Sequence, residues 1–162
     1  MILGIDPGRS KTGWALVCQT GELAFSGVFL TSETGLFLKI LACPLTEWEK
    51  GLRPWICERD ISIALSCLDY VALGNGIGNE EVLAFFDQWD LRVVVVDEKN
   101  TTLAARKLYW RLHRPAFWQR LMPRSLWIPP RLLDDLAAWE IALRSMSFCV
   151  SLSENVLLKK RC

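Results

Sequence analysis

One histidine, His113, and six cysteines without a single Cys-x-x-Cys pair leave this chain without the ligands of an ordinary zinc site. Cys18, Cys43, Cys57, Cys67, Cys149 and Cys162 are expected to be reduced, mostly buried thiols of an intracellular protein. No apolar run approaches the roughly 20 residues that cross a bilayer. The opening residues also lack the basic stretch, apolar core and small-residue cleavage site of a leader. A soluble, cytoplasmic protein with no membrane partner is therefore expected. Cys162 follows Lys159-Lys160-Arg161 without the four-residue context of prenylation. Repeats, linkers and low-complexity tracts are missing too, so residues 1–162 are expected to form a single domain. With 51% hydrophobic residues, such a domain has material for a core without disulfides. Finally, no acid stands between Arg106 and Leu133, where Arg106, Lys107, Arg111, Arg114, Arg120, Arg124 and Arg131 accumulate. The net charge of +1 hides this segregation.

What is present begins with strands. Ile2 to Asp6, Thr12 to Val17 and Leu23 to Leu30 are β-prone runs separated by turns at Pro7-Gly8 and Thr20-Gly21, the pattern of an antiparallel meander. Pro44 and Pro54 break the stretch from Leu36 to Arg53, which gives no clear pattern. Ile56 to Leu68 reads as a helix with Ile61, Ala64, Leu65 and Leu68 on its apolar face. A regular alternation follows: strand Tyr70 to Leu73, helix Asn79 to Trp89, strand Arg92 to Asp97, helix Thr101 to Arg111, as in a parallel sheet. The unbroken Val93-Val94-Val95-Val96 predicts a strand covered on both faces rather than an edge. A last helix from about Leu133 to Met146 buries Leu136, Trp139, Ala142, Leu143 and Met146.

This order resembles the ribonuclease-H-like fold: an α/β domain with a five-stranded mixed sheet, three antiparallel strands then two parallel, flanked by helices. Ile2-Leu3-Gly4-Ile5-Asp6-Pro7-Gly8 with Thr12-Gly13 is similar to the start of RuvC-type Holliday-junction resolvases. Val96-Asp97-Glu98-Lys99-Asn100-Thr101-Thr102-Leu103-Ala104-Ala105 and Asp135-Leu136-Ala137-Ala138-Trp139-Glu140-Ile141-Ala142-Leu143 resemble the YqgF/RuvX family. RuvC-type enzymes place a glutamate on the fourth strand, where this chain has Ala72-Leu73-Gly74-Asn75-Gly76. The YqgF pattern places it after the fifth, where Glu98 stands. Gly74-Asn75-Gly76 is also similar to the related domain of Tex-type transcription accessory proteins.

The family resemblance implies a catalytic, metal-holding site of Asp6, Glu98 and Asp135. In the family's sheet order the fourth strand lies between the first and fifth, so Asp6 and Glu98 share a sheet end about two strand spacings, roughly 10 Å, apart. The glutamate arm shortens that gap, and Gly74 and Gly76 would leave room between them for a phosphate. Helical geometry separates Asp134 from Asp135. Asp135 heads the stripe of Trp139, Ala142 and Met146, where its burial calls for something cationic, a bound metal being the usual compensation, while Asp134 projects toward Ser145 and reads as a helix cap or first-turn acid. Carboxylates without His or Cys suit magnesium or manganese. The expected chemistry is phosphodiester hydrolysis with two ions about 4 Å apart, bridged by Asp6 and held individually by Glu98 and Asp135. Lys11 or Lys99 would neutralise the phosphate; Lys99 stands where the family commonly has arginine.

Between Lys107 and Arg131, Tyr109, Trp110, His113, Phe117, Trp118 and Trp127 interleave with cations, a composition suited to stacking bases and neutralising phosphates. Arg9, Lys11, Lys99, Arg106, Arg111, Arg114, Trp110 and Trp118 are the nucleic-acid-binding candidates; the alternative is that the tryptophans are core covered by arginine stems. The resemblance implies a nuclease acting on ribosomal RNA precursors or four-way DNA junctions, as monomer or homodimer. A non-catalytic nucleic-acid-binding or ribosome- or transcription-associated module is the alternative. Asp6-Pro7-Gly8 with Thr12-Gly13 is similar to the phosphate hairpin of sugar kinases as well, but those close two domains around ATP and this chain has room for one.

Overall fold

Near-continuous burial marks the first third of the chain, as in strands covered on both faces: β1 (Ile2–Asp6), β2 (Lys11–Val17) and β3 (Leu23–Leu30) pair as the expected antiparallel meander. The structure, a computed structural model, describes residues 1–76, 79–88, 91–115, 117, 121, 123 and 127–159, without the side chains at 79, 81 and 148–159. The patternless stretch after β3 becomes two short helices, α1 (Thr34–Leu41) and α2 (Leu45–Leu52), with Pro44 at the N-cap of α2, outside the hydrogen-bonded turns.

Ile56 to Leu68 is not a helix. Ile56–Arg59 forms β4, pairing antiparallel with β3, and its side chains alternate between half-buried and exposed. Asp60 Oδ1 accepts from both the backbone N–H and the hydroxyl of Ser62, at 2.9 and 2.6 Å. This local turn ends the extended segment and competes with helix formation. β4 also makes the sheet six-stranded, one more than expected.

β5 (Tyr70–Gly74), α3 (Asn79–Asp87), β6 (Val93–Val96), α4 (Thr101–Leu112) and α5 (Asp134–Lys159) follow in the anticipated alternation. The strand order is β4-β3-β2-β1-β5-β6, with β1, β5 and β6 parallel. β6 is thus an edge, contrary to the reading of its valine run. Val94 and Val96 pack toward α4 and α5, but Val95 is 52% exposed. Four valines satisfy the β-branched preference of a pleated strand without requiring cover on both sides.

Two cores flank the sheet. Leu3, Ile5, Trp14, Leu16, Phe29 and Phe37 belong to one; Ile2, Ala15, Val17, Ala138, Trp139 and Ala142 to the other, beneath α5. Gly13 on β2 lets α5 come down: a Cβ there would collide with the carbonyl oxygen of Asp134. The first turn of α5 is thereby pressed against the sheet. No helix of the described residues is long and apolar enough to cross a membrane. The thiols differ from expectation, since Cys43, Cys57 and Cys67 are exposed and Cys18 is partly so; they sit in connections and on an edge strand rather than in either core.

Candidate functional site

Asp6 ends β1 one residue beyond the Ile5–Leu73 pair, while Gly74 of β5 pairs with Val96 of β6. The carboxyl ends of three parallel strands therefore stand side by side, the crevice where α/β sheets commonly hold ligands. Strand alternation puts Asp6 on the same face as Ile2 and Gly4, toward α5. The turn after it is fastened by Thr31, whose hydroxyl donates to the Gly8 carbonyl at 2.8 Å and lies 3.2 Å from the Thr12 hydroxyl.

Glu98 lies two residues past β6, and its arm folds back over β5. Its Oε1 accepts from the Gly76 N–H at 3.0 Å, and its own N–H donates to Asn75 Oδ1 at 3.1 Å. A Cβ at Gly74 would run into that same carboxylate. The room that Gly74 and Gly76 leave is thus filled by Glu98, not left open for phosphate. Asn100 at φ +66 turns the chain into α4, and the Thr101 hydroxyl donates to the Glu98 carbonyl at 2.9 Å. From α5, Arg144 Nη1 donates to the carbonyls of Asp97 and Lys99 at 2.9 and 2.8 Å. The Glu98 loop is clasped from both sides.

Asp6 and Glu98 share a hydrogen bond. Burial, then the charges of Glu98 and Asp134, push Asp6 up to about 7 from an ordinary 3.8. Burial also raises Glu98, against the opposing Gly76 N–H and the hydrogen bond with Asp6. Two carboxyls sharing one proton form a site poised to exchange it for a cation.

The two aspartates opening α5 divide the expected roles differently. Asp135 does head the buried stripe, at 0% exposure, and its compensating cation is an arginine. Arg131 Nη1 donates to Asp135 Oδ1 at 2.6 Å and Nη2 to Oδ2 at 3.1 Å, while the Ser26 hydroxyl donates to Oδ2 at 2.8 Å. Arg131 Nη2 also reaches Glu58 Oε1 at 2.6 Å, and His113 Nε2 lies 2.9 Å from the same oxygen. Burial works against the Arg131 charge but is overcome by the hydrogen bonds to Asp135 and Glu58, so the guanidinium stays firmly protonated. Asp135 is therefore consumed by a bidentate ion pair and is not brought to Asp6. Asp134 is the acid whose charge acts on Asp6. Burial, then neighbouring Asp135, raises it, against Lys11 and Arg131. It too heads a packed stripe, with Ala138, Ile141 and Ser145 buried beneath it. The spacing of Arg131, four residues before Asp135, was the available sign of that pairing. Asn75, Arg144 and Glu58 carried no comparable signal.

Among the basic candidates, Lys11 lies close enough to Asp134 to lower it, and Arg106 lines the same groove as Asp6 and Asp134. Arg9, Lys99 and Arg114 are exposed. Arg111 instead borders a different pocket, with Glu22, Glu58 and Asp60. Trp110 is not a free stacking platform: its Nε1 donates to the Trp127 carbonyl at 3.3 Å and its ring stands edge-on to Tyr109 and Trp127. Trp118 lies outside the described residues. Compared with known proteins, the chain matches no family model and no curated protein.

Proposed function

We propose that the chain is a magnesium- or manganese-dependent nuclease of ribonuclease-H-like fold, hydrolysing phosphodiester bonds in structured nucleic acid. The observation that carries this reading is the proton-sharing pair Asp6 and Glu98 at the carboxyl ends of β1 and β6, with Asp134 acting on it from α5. Setting β4 aside, the order β3-β2-β1-β5-β6 supports the fold resemblance, with β5 between the two acid-bearing strands. The motifs that resemble the YqgF/RuvX family support it further, with Asp134 in the role first assigned to Asp135.

The donor set fits the implied ions in kind: oxygen only, anionic and crowded enough to hold a proton at neutral pH. Asp6, Glu98 and Asp134 would hold magnesium or manganese, which supplies Lewis acidity and positive charge for hydrolysis at phosphorus. The chain's own contribution is placement. Gly76 and Asn75 fix Glu98, Arg131 holds the first turn of α5, and Lys11 and Arg106 bring positive charge to an otherwise acidic end of the sheet. Ribosomal RNA precursors and branched DNA are the substrate classes the resemblance suggests.

A non-catalytic module of the same fold is the second reading, favoured by one observation: among the described residues no three His, Cys, Asp or Glu side chains close into a cation cage. The test is a panel of labelled junction DNA, single-stranded DNA and precursor RNA incubated with magnesium, manganese or chelator. Cleavage by the wild type, its loss in chelator, and its loss in Asp6→Asn with an unchanged circular dichroism spectrum are expected. Cleavage retained by Asp6→Asn contradicts the assignment.

A further inference from the structure

Beside the carboxylates lies a groove of about 560 Å³ lined by both charged and aliphatic side chains. Asp6 and Asp134 are part of its lining. Thr102 and Arg106 of α4 form a polar side, and Arg106 makes no ion pair among the described residues. The segment before α5 lines the groove too: Ile128 is 71% and Leu132 68% exposed beside Pro129 and Pro130, while Arg131 among them is engaged by Asp135 and Glu58. Two large aliphatics held in water beside a rigid proline pair and next to a candidate reaction centre are a surface that awaits contact.

From this we infer that the groove is a subsite for one unpaired nucleotide flanking the phosphate to be cut, so that the substrate is a single-stranded or splayed segment rather than continuous duplex. The inference deepens the nuclease reading and rests on it. Charge complementarity and continuity with the acidic centre select this occupant. A strand whose phosphate reaches Asp6 and Asp134 places its neighbouring sugar and phosphate along Thr102 and Arg106, the latter's charge being free among the described residues where that of Arg131 is engaged by Asp135 and Glu58, and its base against Ile128 and Leu132. Every base has an apolar face, so an aliphatic wall accepts any of them. In a duplex those faces are buried in the stack, and only an extruded or unpaired base can present one. The volume falls within the roughly 300–1,000 Å³ of small-ligand sites, enough for a nucleotide and too little for a duplex.

The experiment measures binding separately from cleavage. Fluorescence anisotropy in calcium would follow a labelled 15-mer of deoxythymidine, its uridine counterpart and a blunt 15-base-pair duplex, with wild type, Ile128→Ser/Leu132→Ser and Arg106→Ala. Because these side chains are exposed, each variant is expected to keep the wild-type melting temperature. Preference of the wild type for single strands over duplex is expected, together with a loss of about tenfold in single-strand affinity in both variants and little change for duplex. The deoxythymidine and uridine arms tell DNA from RNA. Equal affinity for duplex, or unchanged single-strand affinity in Ile128→Ser/Leu132→Ser, overturns the inference. So does a wild-type dimer, seen by light scattering, that the double substitution abolishes while single-strand binding persists. The nuclease reading stands or falls on the Asp6→Asn cleavage assay, so either can fail alone.

Discussion

Adjacent aspartates at the start of α5 do opposite work, and the difference is testable. Asp135 is a buried anion neutralised by Arg131 and Ser26, so Asp135→Ala breaks a buried ion pair and leaves Arg131 to Glu58 alone, and is expected to cost about 3 kcal/mol in urea denaturation. Asp134→Asn removes a half-buried charge that Lys11 and Arg131 only partly offset against burial, Asp135 and Asp6, and is expected to leave stability equal or higher while cleavage falls. Equal stability effects at the two positions would contradict the division. Asp6 gives a pH signature. Its folded value of about 7 lies above the unfolded one, so between about pH 4 and pH 7 the native state binds a proton that the unfolded state has lost. Stability without metal is full below that window and is lost as pH rises through it. In Asp6→Asn this fall is expected to become shallower, leaving the part due to Glu98 and Asp134, which burial also raises; parallel profiles of the two proteins in chelator would count against the shared proton. Asp6 was visible as an acid closing an apolar strand, whereas Glu98 was singled out from Asp97 by the family resemblance; the structure brings these two carboxyls together. Sequence reasoning demanded a cation for buried Asp135 and overlooked that one stood four residues upstream.

The elements show where pattern is informative and where it is silent. β1, β2 and β3 were legible because turn residues punctuate apolar runs, and the alternation from β5 to α4 was legible for the same reason. β4 was not: in four residues, Ile56–Arg59, alternation cannot be told from one helical face, and the pairing with β3 that settles it is remote in sequence. The edge position of β6 is equally a matter of neighbours, which a run of valines does not encode. The Gly74-Asn75-Gly76 turn was visible, its use was not. It cradles the Glu98 carboxylate instead of a ligand. Gly74→Ala therefore meets the mobile end of a side chain rather than backbone, so folding is expected to persist while Glu98 is displaced. A drop of about 10–100-fold in cleavage with the melting temperature within error of wild type is expected. Undiminished cleavage would show that Glu98 need not sit there.

For the molecule as a whole, three parallel strand ends, a clasped glutamate loop and the first turn of α5 converge at one end of the sheet, beside a groove lined by cationic and aliphatic side chains. The central claim is that the crevice at that end exchanges a proton for a divalent cation. Calorimetric titration of manganese at pH 6 and pH 8 tests it most directly, with wild type, Asp6→Asn, Asp134→Asn and Asp135→Asn in parallel. The account predicts saturable binding that strengthens from pH 6 to pH 8 with proton release at the lower pH, abolished by Asp6→Asn, weakened by Asp134→Asn and retained by Asp135→Asn. Binding that ignores Asp6 and Asp134, or that disappears only in Asp135→Asn, would contradict it.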